Sequence, residues 1–184
     1  MAVNLYNGFK NEITGETFRC RSYSEDLFSF DWIVQPGGYV PFEHIHLYQD
    51  ETFHIQSGEM KILIGNDEHI CGPGQTITVP KGKSHIACNN KPEMLVCRVE
   101  YKPGLDNYKF FQCFGGLTLD KDMNKRGQIN IPKMLYFTSK MNARCVTRST
   151  SIPVPVFKFA LSACYVIGTF LGWKKLYKKY TGED

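Results

Sequence analysis

The chain has 184 residues, 42% of them hydrophobic and 14% aromatic, with a formal net charge of +4. That length suits one domain with an appendage, and the composition excludes a disordered chain. The charge excess sits largely in Lys174, Lys175, Lys178 and Lys179, and no basic stripe interleaved with aromatics runs through the body, so nucleic acid is not an expected partner.

Residues 1–101 read as short strands and turns. The stretches ETFRCRS and LFSFDWIVQ mix β-branched and aromatic residues with polar ones, and PGG at 36–38 ends the second. MKILIG puts Met60, Ile62 and Ile64 on one face, NDEH signals a hairpin, QTITVP alternates again with Ile77 and Val79 on one face, and MLVCRVEY is a further strand. Many short strands punctuated by Gly, Pro and Asn predict an all-β sandwich or barrel. After KPG at 102–104 the pattern turns helical: Leu105, Tyr108, Phe111, Cys113 and Phe114 recur at helical spacing, and IPKMLYFTSKM predicts a second helix with Pro132 in its first turn. STSIPVPV reads as a linker. Beyond it, Phe159–Trp173 is apolar and uncharged, the mark of a helix buried in protein or in lipid. Gly168 and Gly172 form a G-x-x-x-G pair, and Trp173, Lys174 and Lys175 read as an interfacial anchor. Deleting residues 152–184 is expected to leave a soluble barrel.

Seven cysteines (Cys20, Cys71, Cys88, Cys97, Cys113, Cys145 and Cys164) are odd in number and scattered, which points to reduced thiols. MAVNLYNGFKNE lacks an apolar run, so no secretory signal is expected and the body is expected to be cytoplasmic, with membrane association through 152–179 left open.

The informative stretch is GYVPFEHIHLYQDETFHIQSG at 38–58. On a strand, residues i and i+2 share a face, so His44 and His46 project into one space, where Glu51 can add a carboxylate. Two surface histidines on an exposed edge would give the same spacing. GQTITVPKGKSHIACN at 74–89 supplies a third imidazole, His85, after a Pro-x-Gly turn. Three imidazoles and a carboxylate leave open positions on an octahedral metal. His54 and His69 read as surface histidines. Phe42, Phe53, Ile62, Ile77 and Val79 either line a cavity or fill the barrel, and Tyr48 and Gln49 lie in a loop near its mouth.

With Gly38, His44, His46, Glu51 and Gly58, and then Gly74, Pro80, Gly82, His85 and Asn89, the chain resembles the cupins at every spacing of their two motifs. The resemblance covers residues 16–101. It implies a mainly β, jelly-roll β-barrel with one divalent transition metal (iron first, with manganese, nickel, copper or zinc as alternatives) held by His44, His46, Glu51 and His85. It also implies homodimerisation. The expected organisation is a barrel over 1–103, a helical extension packing on it over 104–150, and an apolar helix with a basic tip over 151–184. The expected activity is that of a mononuclear metal-dependent oxidoreductase or dioxygenase acting on a small organic substrate, with Glu51 also serving as a catalytic base. The alternatives are a metal-dependent isomerase or cyclase and a non-catalytic binding protein.

Overall fold

The computed structural model describes residues 2–141, 147–149 and 152–183. Cys145 and positions 150–151 of the expected linker lie outside them. The ten strands of the N-terminal half are β1 (Phe9–Asn11), β2 (Glu16–Tyr23), β3 (Phe28–Val34), β4 (His44–His46), β5 (Asp50–Ser57), β6 (Met60–Ile64), β7 (Asp67–Cys71), β8 (Thr76–Val79), β9 (Ser84–Cys88) and β10 (Leu95–Lys102). They form two antiparallel sheets that face each other. One runs β1-β2-β3-β10-β5-β8, and the other runs β4-β9-β6-β7 with a short outer strand, β11 (Thr147–Ser149), beside β4. The expected jelly-roll barrel is therefore present, and part of the segment read as helical adds a strand to its edge.

The alternation read from the sequence sets which side chains enter the barrel. On β10, Leu95, Cys97, Val99 and Tyr101 are buried in strict alternation. β3 lies in the middle of its sheet, between β2 and β10, and is buried along nearly its whole length. Its outward Asp31 stands directly opposite Arg19 and is paired with Arg19 and Arg21, which satisfies the carboxylate. Gly58 has φ of 74°, and a Cβ there would lie 2.6 Å from the Met94 carbonyl oxygen, so the β5–β6 turn requires glycine. Asn89 donates to the carbonyls of Val34, Gln35 and Glu93 and accepts from the Lys91 N–H, which pins three loops together.

Four helices follow: α1 (Asn107–Leu119), α2 (Ile131–Lys140), α3 (Val154–Phe170) and α4 (Lys174–Thr181). α1 presses Phe111 into the barrel's aromatic cluster, with ring centroids 4.8 Å from Phe30 and 5.1 Å from Phe28. α2 starts where Asn130 accepts from the Lys133 N–H, and Pro132 sits in its first turn as expected. A second core joins α1, α2 and α4 through Cys113, Leu117, Phe137, Tyr177 and Tyr180.

The C-terminal segment departs from the sequence reading in several ways. α3 begins inside the expected linker, at Val154. The apolar run is two helices bent by 94°, and Gly172 adopts φ of 71° at the break. Gly168 is needed against α2, where a Cβ would come within 2.4 Å of the Tyr136 ring, so the two glycines have separate roles and do not form a helix-pairing motif. Trp173 packs edge-on against Tyr136 rather than projecting as an anchor. The basic tip, α4, is docked: Tyr177 and Tyr180 are buried, Tyr180 donates to Asp120, and the Tyr180 carbonyl accepts from the Val3 N–H. Residues 152–183 thus pack on the rest of the molecule. No single helix among the described residues is long and apolar enough to cross a membrane.

Candidate metal centre

β4 and β9 are neighbours, and His44 stands directly opposite His85. Gly82, at φ of 82°, turns the chain into β9 and donates its N–H to the His46 carbonyl at 2.8 Å. Glu51 comes from β5 in the facing sheet, so the two halves of the barrel each contribute to one cluster. One ligand atom from each of His44, His46, Glu51 and His85 lies within 4.8 Å of all the others. Glu51 Oε2 is 3.0 Å from His46 Nε2 and 2.7 Å from His85 Nε2. His44 Nδ1 lies 3.1 Å from the Phe42 carbonyl; an N–H there donates and leaves Nε2 as the ligand nitrogen.

The electrostatics follow from burial and mutual proximity. Burial, then His85 and His46, push His44 well below the usual imidazole range. Burial works to raise Glu51, but His46 and His85 outweigh it and hold the carboxyl well below its ordinary value. For His85, burial works downward and Glu51 overrides it, so the net shift is upward. Without a cation, a proton on the imidazoles balances the carboxylate.

The donor set fits a metal. Glu51 Oε2 and His85 Nε2 are buried and 2.7 Å apart, yet they do not meet in hydrogen-bond geometry. Buried polar atoms that converge without bonding one another are satisfied by a shared cation. Three imidazoles and one carboxylate are ligands that iron, manganese, nickel, copper and zinc all accept.

The cluster opens on a cavity of about 370 Å³. Phe18, Phe30, Trp32 and Phe53 line it from the barrel, and Phe110, Phe111 and Phe114 from α1. α2 and α3 complete the wall with residues such as Met134, Phe157 and Ala160. Of the residues the sequence offered as lining or core, Phe42 and Phe53 face the cavity, whereas Ile62, Ile77 and Val79 pack in the barrel core. Tyr48 is exposed and Gln49 buried, and neither lines it. His54 bonds Thr76 on the far side of β5, and His69 is exposed, as expected of surface histidines.

Two site residues escaped the sequence reading. Tyr101 faces Glu51 directly across the β5–β10 ladder, with its hydroxyl near enough to feel that carboxylate. Its ring lies 4.8 Å from His46. Burial, then Glu51, push its phenol well above the ordinary value. Glu16, on β2, is 2% exposed and lines the cavity, accepting from Thr14 Oγ1 at 2.7 Å and Trp32 Nε1 at 3.0 Å. Burial pushes its carboxyl up to about 7 against the lowering effect of those two bonds. The inward phase of MLVCRVEY was the available signal for Tyr101. For Glu16 the only signal was an acid opening a strand that alternates Glu16, Phe18 and Cys20 on one face.

Residues 30–99 match the family described as Cupin domain. The chain contains a cupin domain. Solved structures are similar to it at low identity. A protein with a double-stranded beta-helix domain from Klebsiella pneumoniae is 22% identical over 52% of this chain and 84% of its own, with a TM-score of 0.47. KdgF from a Halomonas species is 18% identical over 54% of this chain and 89% of its own, TM-score 0.48. A sugar phosphate isomerase from Silicibacter pomeroyi is 20% identical over 49% of this chain and 60% of its own, TM-score 0.45. No curated protein matches the sequence. Each structural likeness covers about half of this chain.

Proposed function

We propose that this protein is a mononuclear metal-dependent oxidoreductase of the oxygenase type, acting on an apolar small organic molecule. The observation that carries the reading is a buried three-histidine, one-carboxylate cluster on the wall of an aromatic cavity. His44, His46, Glu51 and His85 would hold the metal, which supplies Lewis-acid and, for iron, manganese, nickel or copper, redox chemistry. The protein's own groups divide the remaining work. Phe18, Phe30, Trp32 and Phe111 exclude water and stack against the substrate. Tyr101 is placed to orient Glu51. Glu16 faces the same cavity with a carboxyl near 7, suited to holding or accepting a proton close to neutral pH.

Among the described residues, the lining contains neither Lys nor Arg. A phosphorylated sugar, such as the substrate class in the name of the Silicibacter protein, needs cationic or bidentate partners for its phosphate, so the cavity favours an apolar substrate. Oxygen uptake by the iron-loaded protein across a panel of apolar phenolic and polyketide-like compounds tests the reading. Uptake that requires both metal and substrate supports it. Turnover with zinc under anaerobic conditions would instead establish the isomerase or cyclase alternative, for which Glu16 is a ready second acid–base group.

A further inference from the structure

α3 exposes a polar line of Lys158, Ser162 and Thr169 and is otherwise apolar. Phe157 and Ala160 face the cavity and Gly168 sits against Tyr136. A second apolar stripe carries Val156, Phe159, Ala163, Val166, Ile167 and Phe170 and continues into Leu171. Phe159 is 75% exposed, Phe170 88% and Leu171 63%. The single charged residue of α3, Lys158, lies off this stripe. Isolated exposed apolar side chains are ordinary, but an uninterrupted row along a whole helix marks a contact surface.

The geometry and charge of the segment choose its occupant. Seventeen helical residues reach about 25 Å, short of a bilayer's hydrocarbon core of about 30 Å. The 94° bend and the burial of Tyr177 and Tyr180 hold α4 on the protein, so α3 cannot pass through a membrane but can lie along one. Residues 152–180 contain five lysines and no acid, and Lys174 and Lys175 stand exposed just beyond Leu171. A second copy of this chain would bring the same lysines to the same seam, whereas an anionic surface complements them.

We propose that α3 seats this protein on an anionic lipid surface, with the Phe159–Phe170 stripe at the boundary of headgroups and acyl chains and Lys174 and Lys175 among the headgroups. Because the other face of the same helix forms part of the cavity wall, the seated protein draws a membrane-partitioned, apolar substrate from the bilayer. That last step rests on the proposed metal-dependent function; the seating does not.

Flotation of the full chain with vesicles tests it, using phosphatidylcholine alone and phosphatidylcholine with phosphatidylserine. The wild type is expected to float with the anionic vesicles and to lose binding as salt is raised. Combining Phe159→Ser with Phe170→Ser weakens partitioning about tenfold or more, and combining Lys174→Glu with Lys175→Glu abolishes the preference for phosphatidylserine. Wild type that stays unbound with both vesicles overturns the proposal. So does a wild-type dimer in sedimentation that the paired Phe variant converts to monomer without any flotation, since a second copy would then cover the stripe. Metal content of the floated fraction separates the two readings: flotation without metal leaves the lipid surface standing and removes the enzyme, and metal without flotation does the reverse.

Discussion

Tyr101 stands directly opposite Glu51 on neighbouring strands, and the Glu51 carboxylate is near enough to raise its phenol. The ladder that builds the barrel therefore also sets a phenol beside the one carboxylate of the cluster. Tyr101→Phe keeps the ring, its packing against His46 and Phe30, and the fold. It removes the hydroxyl beside Glu51. Metal affinity, measured by competition with a chromophoric chelator, is expected to fall by about 10- to 100-fold, with an unchanged unfolding midpoint for the metal-free protein. Unchanged affinity would show that Glu51 is held by its strand alone.

Glu16 ties stability to pH. Its carboxyl is raised in the folded protein from an ordinary 4.5 to about 7, so the folded state holds the proton more tightly than the unfolded chain. The associated stability is fully present below about 4.5 and is lost as pH climbs toward 7, a loss on the order of 3 kcal/mol. Glu16→Gln keeps one oxygen to accept from Trp32 and sets an amide N–H beside the Thr14 hydroxyl, which can turn to accept it, and it has no proton to lose. In urea unfolding of the metal-free protein at pH 5 and pH 8, the wild type should lose more stability than Glu16→Gln between the two. Parallel pH profiles would contradict a buried, proton-holding Glu16.

Gly168 is where α3 touches α2. A Cβ there would meet Tyr136 at 2.4 Å and Trp173 at 2.6 Å, and Tyr136 is itself fully enclosed. Gly168→Ala is expected to destabilise by about 1–3 kcal/mol despite the higher helix propensity of alanine, read as a drop in the urea midpoint. A gain in stability would show that α3 is free to move away from the body.

The cluster was readable in the sequence because its spacing reflects strand geometry. His44 and His46 share a face by the two-residue period, and His85 follows a Pro-x-Gly turn whose glycine adopts a positive φ. Tyr101 and Glu16 were not readable in this way. Tyr101 reaches the site through the pairing of β10 with β5, whose register across a long separation is not written locally, and Glu16 through the face that β2 turns to the cavity. The C-terminal run misled for a related reason. A segment with so few polar residues does not say which face packs inward, and the left-handed Gly172 that divides it resembles any other glycine in a hydrophobic stretch. The β11 strand beside β4 likewise depends on a neighbour far away in the chain.

The central claim is that His44, His46, Glu51 and His85 hold one metal ion. Elemental analysis of the purified full chain beside His46→Ala, both reloaded at neutral pH where imidazoles are free to coordinate, tests it most directly. The account predicts one equivalent of a divalent transition metal in the wild type and its loss in the variant, with the barrel's circular dichroism unchanged. A wild type that retains no metal, or a His46→Ala variant that retains the full equivalent, would contradict it.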